Sequence, residues 1–184
     1  MDSALREFIR ATPPPDNAHL VPGSEARAAW AEARAKEIRR WYGLPVALPS
    51  ATPVPGPAIF RKFANRRTRR KVGRDNHDVE LIAFRKVVQH LTDVLSLTEY
   101  MNGFFKGWIM DEKGSYIGQL YEDGENCKGF HPRKTRVDLL CWPNTTGPQL
   151  YIVDEVEVSP CNYVLSVAHA DVCEFLGKPA KEVD

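Results

Sequence analysis

Four cysteines, one tight acidic cluster and five scattered histidines are the side chains best suited to chemistry in this chain. Cys127, Cys141, Cys161 and Cys173 lie far apart, with no Cys-x-x-Cys pair, so their spacing does not suit a structural zinc site. An even number confined to one small region reads as two disulfides, for which three pairings exist; the other reading is four buried thiols in a reducing compartment. Asp154, Glu155 and Glu157 form the densest group of acids. On a strand, Asp154 points away from Glu155 and Glu157, which suits a solvated face plus one binding carboxylate better than a hydrolytic pair across a cleft. His19, His77, His90, His131 and His169 form no ligand motif. No phosphate-binding glycine loop, Gly-x-Ser-x-Gly or His-Glu-x-x-His pattern occurs. The expectation is therefore no catalytic residues, no metal and no cofactor.

The segment that holds the cysteines is β-patterned. Gly103 to Ile109, Tyr116 to Tyr121, Thr135 to Cys141, Leu150 to Val158 and Tyr163 to Ala168 are short apolar or alternating runs between turn signals such as Lys113-Gly114 and Asp123-Gly124. Runs at this spacing predict a β-sandwich or barrel. Val79 to Leu97 is ambiguous, because Leu81, Phe84, Val88, Leu91 and Leu95 recur at helical spacing while Phe84 to Val88 suits a strand. Asn144-Thr145-Thr146 is a glycosylation sequon, with Asn144 as acceptor.

The first third of the chain is different. Nine of the 14 prolines fall within residues 1–57, which predicts extended connectors over 1–23 and 44–58. Between them, Ser24 caps a predicted helix over about 25–41 rich in Ala, Glu and Arg, and Gly43 and Pro45 end it. Trp30, Ile38 and Trp41 fall near one side of that helix and are expected to face protein. Residues 61–74 hold eight basic residues and no acid, interleaved with Phe60 and Phe63. Nucleic-acid binding through 61–74 is the weaker reading beside a solvated basic face. The chain balances 25 Lys+Arg against 24 Asp+Glu, for a net charge of +1, which argues against a polyelectrolyte-binding protein. No run is long and apolar enough for a membrane-spanning helix. No basic-then-apolar leader pattern opens the chain, so either the start is processed or internal, or the protein is not secreted. The expected organisation is an N-terminal arm over 1–75, a β domain over 76–177 and a tail over 178–184.

Two stretches carry a family resemblance. One runs from Tyr121-Glu-Asp-Gly-Glu-Asn-Cys127 through His131-Pro-Arg133-Lys-Thr-Arg-Val137 to Cys141. The other is Val156-Glu157-Val-Ser-Pro-Cys161-Asn-Tyr163, followed by Cys173. Together, over about residues 78 to 176, they resemble the mannose 6-phosphate receptor homology (MRH) domain, closest in spacing to the glucosidase II β type. The resemblance implies a flattened β-barrel of two antiparallel sheets, a sugar site of Gln, Arg, Glu and Tyr, and disulfides Cys127–Cys161 and Cys141–Cys173. Arg133, eight residues before Cys141, matches the Arg; Glu157, four before Cys161, matches the Glu; Tyr163, two after it, matches the Tyr. Phe84-Arg-Lys-Val-Val-Gln89 is similar to the family's Gln motif, which selects Gln89, with Gln119 as the fallback, and tilts Val79 to Gln89 toward a strand. Ala83 stands where the family usually has a further cysteine.

These matches imply a non-catalytic lectin-like domain binding mannose-type N-glycans, a regulatory subunit in the endoplasmic reticulum lumen or secretory pathway. Its partners would be a high-mannose glycan or glycoprotein and, through the N-terminal arm, a larger protein. The alternative is a divergent MRH-like fold serving as a structural subunit of a large organellar or cytosolic assembly, without sugar binding.

Overall fold

The computed structural model describes residues 51–72, 77–93, 96–127, 131–180 and 183. The expected helix over 25–41, its Trp30, Ile38 and Trp41, and the connector over 1–23 lie outside the described residues. The described part is mainly β: β1 (Arg67–Val72), β2 (His77–Ile82), β3 (Lys86–Asp93), β4 (Ser96–Met110), β5 (Tyr116–Glu122), β6 (Lys134–Cys141), β7 (Tyr151–Ser159) and β8 (Asn162–His169). A 3-10 helix over Ala58–Phe63 precedes them and a one-turn helix, α1 (Val172–Phe175), follows.

All eight strands form one sheet in the order β1-β2-β3-β4-β5-β6-β8-β7. Neighbours are antiparallel except β6 and β8, which run parallel from Lys134↔Asn162 to Cys141↔His169. The sheet curls until its two edges meet. There the Thr68 hydroxyl donates to the Leu150 carbonyl at 3.0 Å, and Arg70 donates to the Ile152 carbonyl. Side chains of β1 thus bond carbonyls at the start of β7 and just before it, and the barrel is nearly closed.

Two features differ from the sequence expectation. The β domain was expected from 76, yet β1 belongs to the sheet and Phe60 and Phe63 are fully buried in its core. The stretch at 44–58 was expected to be irregular, yet Thr52 forms a bridge with Trp108 and Ala58 opens the 3-10 helix. Both follow from apolar demand at one end of the barrel. Side chains three apart eclipse in a 3-10 helix, so Phe60 and Phe63 point the same way, ring centroids 4.9 Å apart. They pack with Phe84, Trp108 and Phe175 into an aromatic plug. Gly56 lies on the Trp108 indole at φ +78°; an added Cβ would fall 2.2 Å from the ring nitrogen, so only glycine fits.

The basic stretch is mostly strand. Arg67 and Arg69 alternate outward and meet acids of β2: Arg69 lies 3.0 Å from Asp78, and Arg67 3.8 Å from Glu80. The ambiguity over Val79 to Leu97 resolves as a hairpin. Leu81 sits on β2, Val88 and Leu91 on β3, and Phe84 makes the turn at φ +60°.

Cys127 pairs with Cys161 and Cys141 with Cys173, with Cα separations of 6.3 and 4.6 Å. No cysteine is free. Among the described residues no helix is long and apolar enough to cross a membrane, and no cluster of His, Cys, Asp and Glu could hold a metal ion.

Candidate functional site

The aromatic plug closes one end of the barrel. The other end is polar, and register shows how it is built. Phe105, Tyr121, Thr135, Tyr163 and Glu157 stand opposite one another across successive strands, so their side chains share the inner face. Toward the open end Gln89 is paired with Tyr100 across β3 and β4. Arg133 immediately precedes β6, two residues before Thr135, at the same end.

Three of the four residues expected at the sugar site meet here. Arg133 Nη1 donates to the Tyr163 hydroxyl, and Glu157 stands opposite Tyr163 across β7 and β8. The Arg133 guanidinium carbon lies 4.7 Å from the centre of the Tyr100 ring and 5.7 Å from that of Tyr163. Arg133 and Glu157 make no ion pair with each other; the phenol stands between them. Gln89 stands opposite Tyr100 in strand register, and the Tyr100 ring lies against the guanidinium. Exposure is graded, with Tyr163 buried, Arg133 and Gln89 half-buried, and Glu157 exposed.

Burial pushes the Tyr163 phenol up to about 12, with smaller contributions from Glu157 and Glu155; the nearby Arg133 opposes them. The phenol therefore stays protonated across the physiological range and accepts from the guanidinium.

The backbone around Arg133 is fixed on both sides. Its N–H donates to the Glu125 carbonyl and its carbonyl accepts from Gly124, each at 3.0 Å. A Cβ on Gly124 would fall 2.5 Å from the Met101 carbonyl oxygen and 2.8 Å from that of Arg133, so a side chain would push this loop off. The Glu157 carboxylate accepts from the Cys161 N–H at 2.8 Å, which orients it across the β7–β8 turn. The Cys127–Cys161 disulfide then ties the loop that holds Arg133 to the turn that holds Glu157. Lys134 N–H donates to the Cys161 carbonyl at 3.0 Å and strengthens the same junction.

Deeper along the barrel lies a second polar group. His77 Nε2 sits 3.1 Å from Glu155 Oε2, and the Asn102 amide donates to Glu155 Oε1 at 3.5 Å. Both Glu155 and Asn102 are buried. Gln119, the fallback, is elsewhere. It is buried in the interior, accepts from the Tyr121 hydroxyl at 2.9 Å, and stands opposite Trp108 and Val137. Asn144 is exposed in the turn after β6.

Tyr100, Asn102 and the inward aim of Glu155 escaped the sequence reading. The expected strand began at Gly103, so Tyr100 and Asn102 lay outside any predicted element. The signal for Tyr100 is indirect: an aromatic residue upstream of a strand that must pair with the one bearing Gln89.

No family model matches this chain, and no curated protein matches it. Solved structures do. The crystal structure of the MRH domain of glucosidase II beta bound to mannose is 20% identical, with a TM-score of 0.45, covering 62% of this chain and 99% of that one. The solution structure of a point mutant of the GBII-beta MRH domain is 20% identical, with a TM-score of 0.41, covering 58% and 92%. The solution structure of the MRH domain of Yos9 complexed with alpha3,alpha6-Man5 is 17% identical, with a TM-score of 0.46, covering 79% and 93%. Each of these three solved structures is of an MRH domain.

Proposed function

We propose that the chain is a non-catalytic lectin-like module whose open barrel end binds mannose-type glycans. The observation that carries this reading is the meeting of Arg133, Tyr163 and Glu157, from three separate stretches, at a partly open polar end floored by Tyr100. A sugar hydroxyl both donates and accepts. The arginine supplies a fork of donors, the glutamate supplies acceptors, and the amide of Gln89 supplies both. Hydrogen bonds from charged groups to adjacent hydroxyls are the strong ones, and a buried phenol gives a sugar face an apolar surface. A hydroxyl of the wrong configuration leaves one of these groups unpaired, which is how such a site selects. Two disulfides suit an oxidising compartment, and we place the module in the secretory pathway, serving a larger catalytic or regulatory partner.

A second reading rests on the same geometry: Arg133 already donates to the Tyr163 phenol, as in a site retained only for structure. Nuclear magnetic resonance titration with methyl α-mannoside and with a high-mannose glycan separates the two. Saturable shifts of the amides around Gln89, Arg133, Glu157 and Tyr163 support the lectin. A spectrum unchanged at high millimolar sugar refutes it and leaves the structural reading.

A further inference from the structure

Asn144-Thr145-Thr146 plays no part in the open barrel end. It has the Asn-x-Thr form with no proline in the middle, and it is the one such triplet in the sequence. Its segment is anchored on both sides. Before it, Cys141 closes β6 in a disulfide to Cys173, and Trp142 is buried. After it, Leu150 is buried and its carbonyl accepts from the Thr68 hydroxyl. Between these anchors the chain leaves the body, and residues 143–149 are exposed except Thr145.

Local bonds turn Thr145 inward and its neighbour outward. The Thr145 N–H and hydroxyl both donate to the Trp142 carbonyl, at 3.2 and 2.9 Å, closing a turn with Pro143 and Asn144 at its corner. Proline pre-sets the first corner position, and asparagine is a common turn residue. Asn144 therefore stands at an exposed turn tip. The Tyr151 hydroxyl donates to the Thr146 carbonyl at 3.0 Å, which places a ring that is 37% exposed beside the loop.

The loop lies at the closed end of the barrel. The Gly147 carbonyl is 3.1 Å from His169 Nε2, and the His169 ring packs edge-on against Phe63 of the aromatic plug, centroids 4.7 Å apart. The eight residues of β6, about 25 Å of strand, separate this loop from Arg133.

We propose that Asn144 is an N-glycosylation acceptor, so that the domain carries a glycan at its closed end and keeps its open end clear. The Asn144 amide nitrogen forms a bond to the anomeric carbon of an oligosaccharide. The bond from that carbon to a lipid diphosphate breaks, the lipid diphosphate leaves, and the amide gives up one proton. The donor is a lipid-diphosphate-linked oligosaccharide of the secretory lumen, so the assignment rests on the placement proposed above. It does not depend on whether the open end binds sugar.

The test expresses the full chain in a eukaryotic cell behind a cleavable leader. The leader brings it to the lumen whatever its natural location, so the result reads the acceptor and not the placement; the natural location is read apart, by localising the chain without the leader. One upward step in gel mobility is expected, removed by peptide N-glycosidase with conversion of residue 144 to aspartate in the peptide mass. Because Asn144 is exposed, the native protein should be digested as completely as the denatured one. Asn144→Gln and Thr146→Ala should each abolish the step, and Thr146→Ser should keep it. The step is read on denatured protein, so a variant that folds poorly still reports. A chain with its leader removed and both disulfides formed but no glycan overturns the proposal. So does a step that persists in Asn144→Gln.

Discussion

Replacing Arg133 with alanine separates a binding role from a structural one, because the local terms partly cancel. The change removes one charge-assisted hydrogen bond to a phenol, worth about 1.5–3 kcal/mol, and two cation–π contacts of about 0.5–1 kcal/mol each. Against this, Arg133 Nε is buried without a partner, and deleting it relieves a cost of about 1–3 kcal/mol. The net loss of stability is about 2 kcal/mol, a melting shift of ~4–8 °C for a chain this size. Binding has no such cancellation. On the proposed glycan binding, two charge-assisted bonds from the guanidinium, at about 1.5–3 kcal/mol each, would be lost, and Kd should rise by a factor of at least ~100. Arg133→Lys keeps the charge but not the fork and should recover little. Calorimetric titration with a high-mannose glycan reads affinity, and differential scanning calorimetry reads stability. Unchanged affinity, or a melting temperature lower by more than ~10 °C, would refute the reasoning, the second result by making Arg133 structural.

Three other outcomes follow from the geometry. Replacing Cys141 and Cys173 together by alanine opens a loop of 32-residue separation and should cost about 3–4 kcal/mol in the chain-entropy model, read by denaturant unfolding. Gly124→Ala should weaken glycan binding with a smaller effect on melting, because its Cβ collides with the Arg133 carbonyl while the core is untouched; equal affinity to the parent would contradict the described loop. The raised Tyr163 phenol favours the folded state while it stays protonated. That contribution is complete below pH 10 and is lost as pH rises toward about 12, so alkaline melting curves of the parent should fall more steeply than those of Tyr163→Phe.

What the sequence disclosed and what it hid divide along physical lines. Strands β5, β6 and β8 were readable because each puts an apolar face into a core, and the turns between them carry glycine and proline. β1 was not, because its inward Thr68 and Arg70 cap carbonyls at the seam, leaving no apolar alternation to see. Phe60 and Phe63 looked like aromatics within a charged run; a 3-10 turn, invisible to periods of 2 and 3.6, sends both into the core. Leu81, Val88 and Leu91 mimicked a helix because a hairpin folds two strands back through similar spacing. Motif spacing placed Arg133, Glu157 and Tyr163 at one site. It could not disclose Tyr100 or Asn102, whose positions depend on register across the β3–β4 hairpin and the irregularity beside Val87.

The parallel pairing of β6 with β8 has a kinetic consequence. Because β7 lies outside β8, β6 cannot find its neighbour until the chain has passed through β7 and turned at Cys161. Parallel strands joined through a long excursion pay loop-closure entropy before any ladder forms, and such topologies are slow. The two disulfides sit at opposite ends of this pair, Cys127–Cys161 where β8 begins and Cys141–Cys173 from the last residue of β6 to the helix after β8. Neither can form until synthesis has passed β7, so an unpaired β6 edge is exposed to the strand edge of another molecule until then.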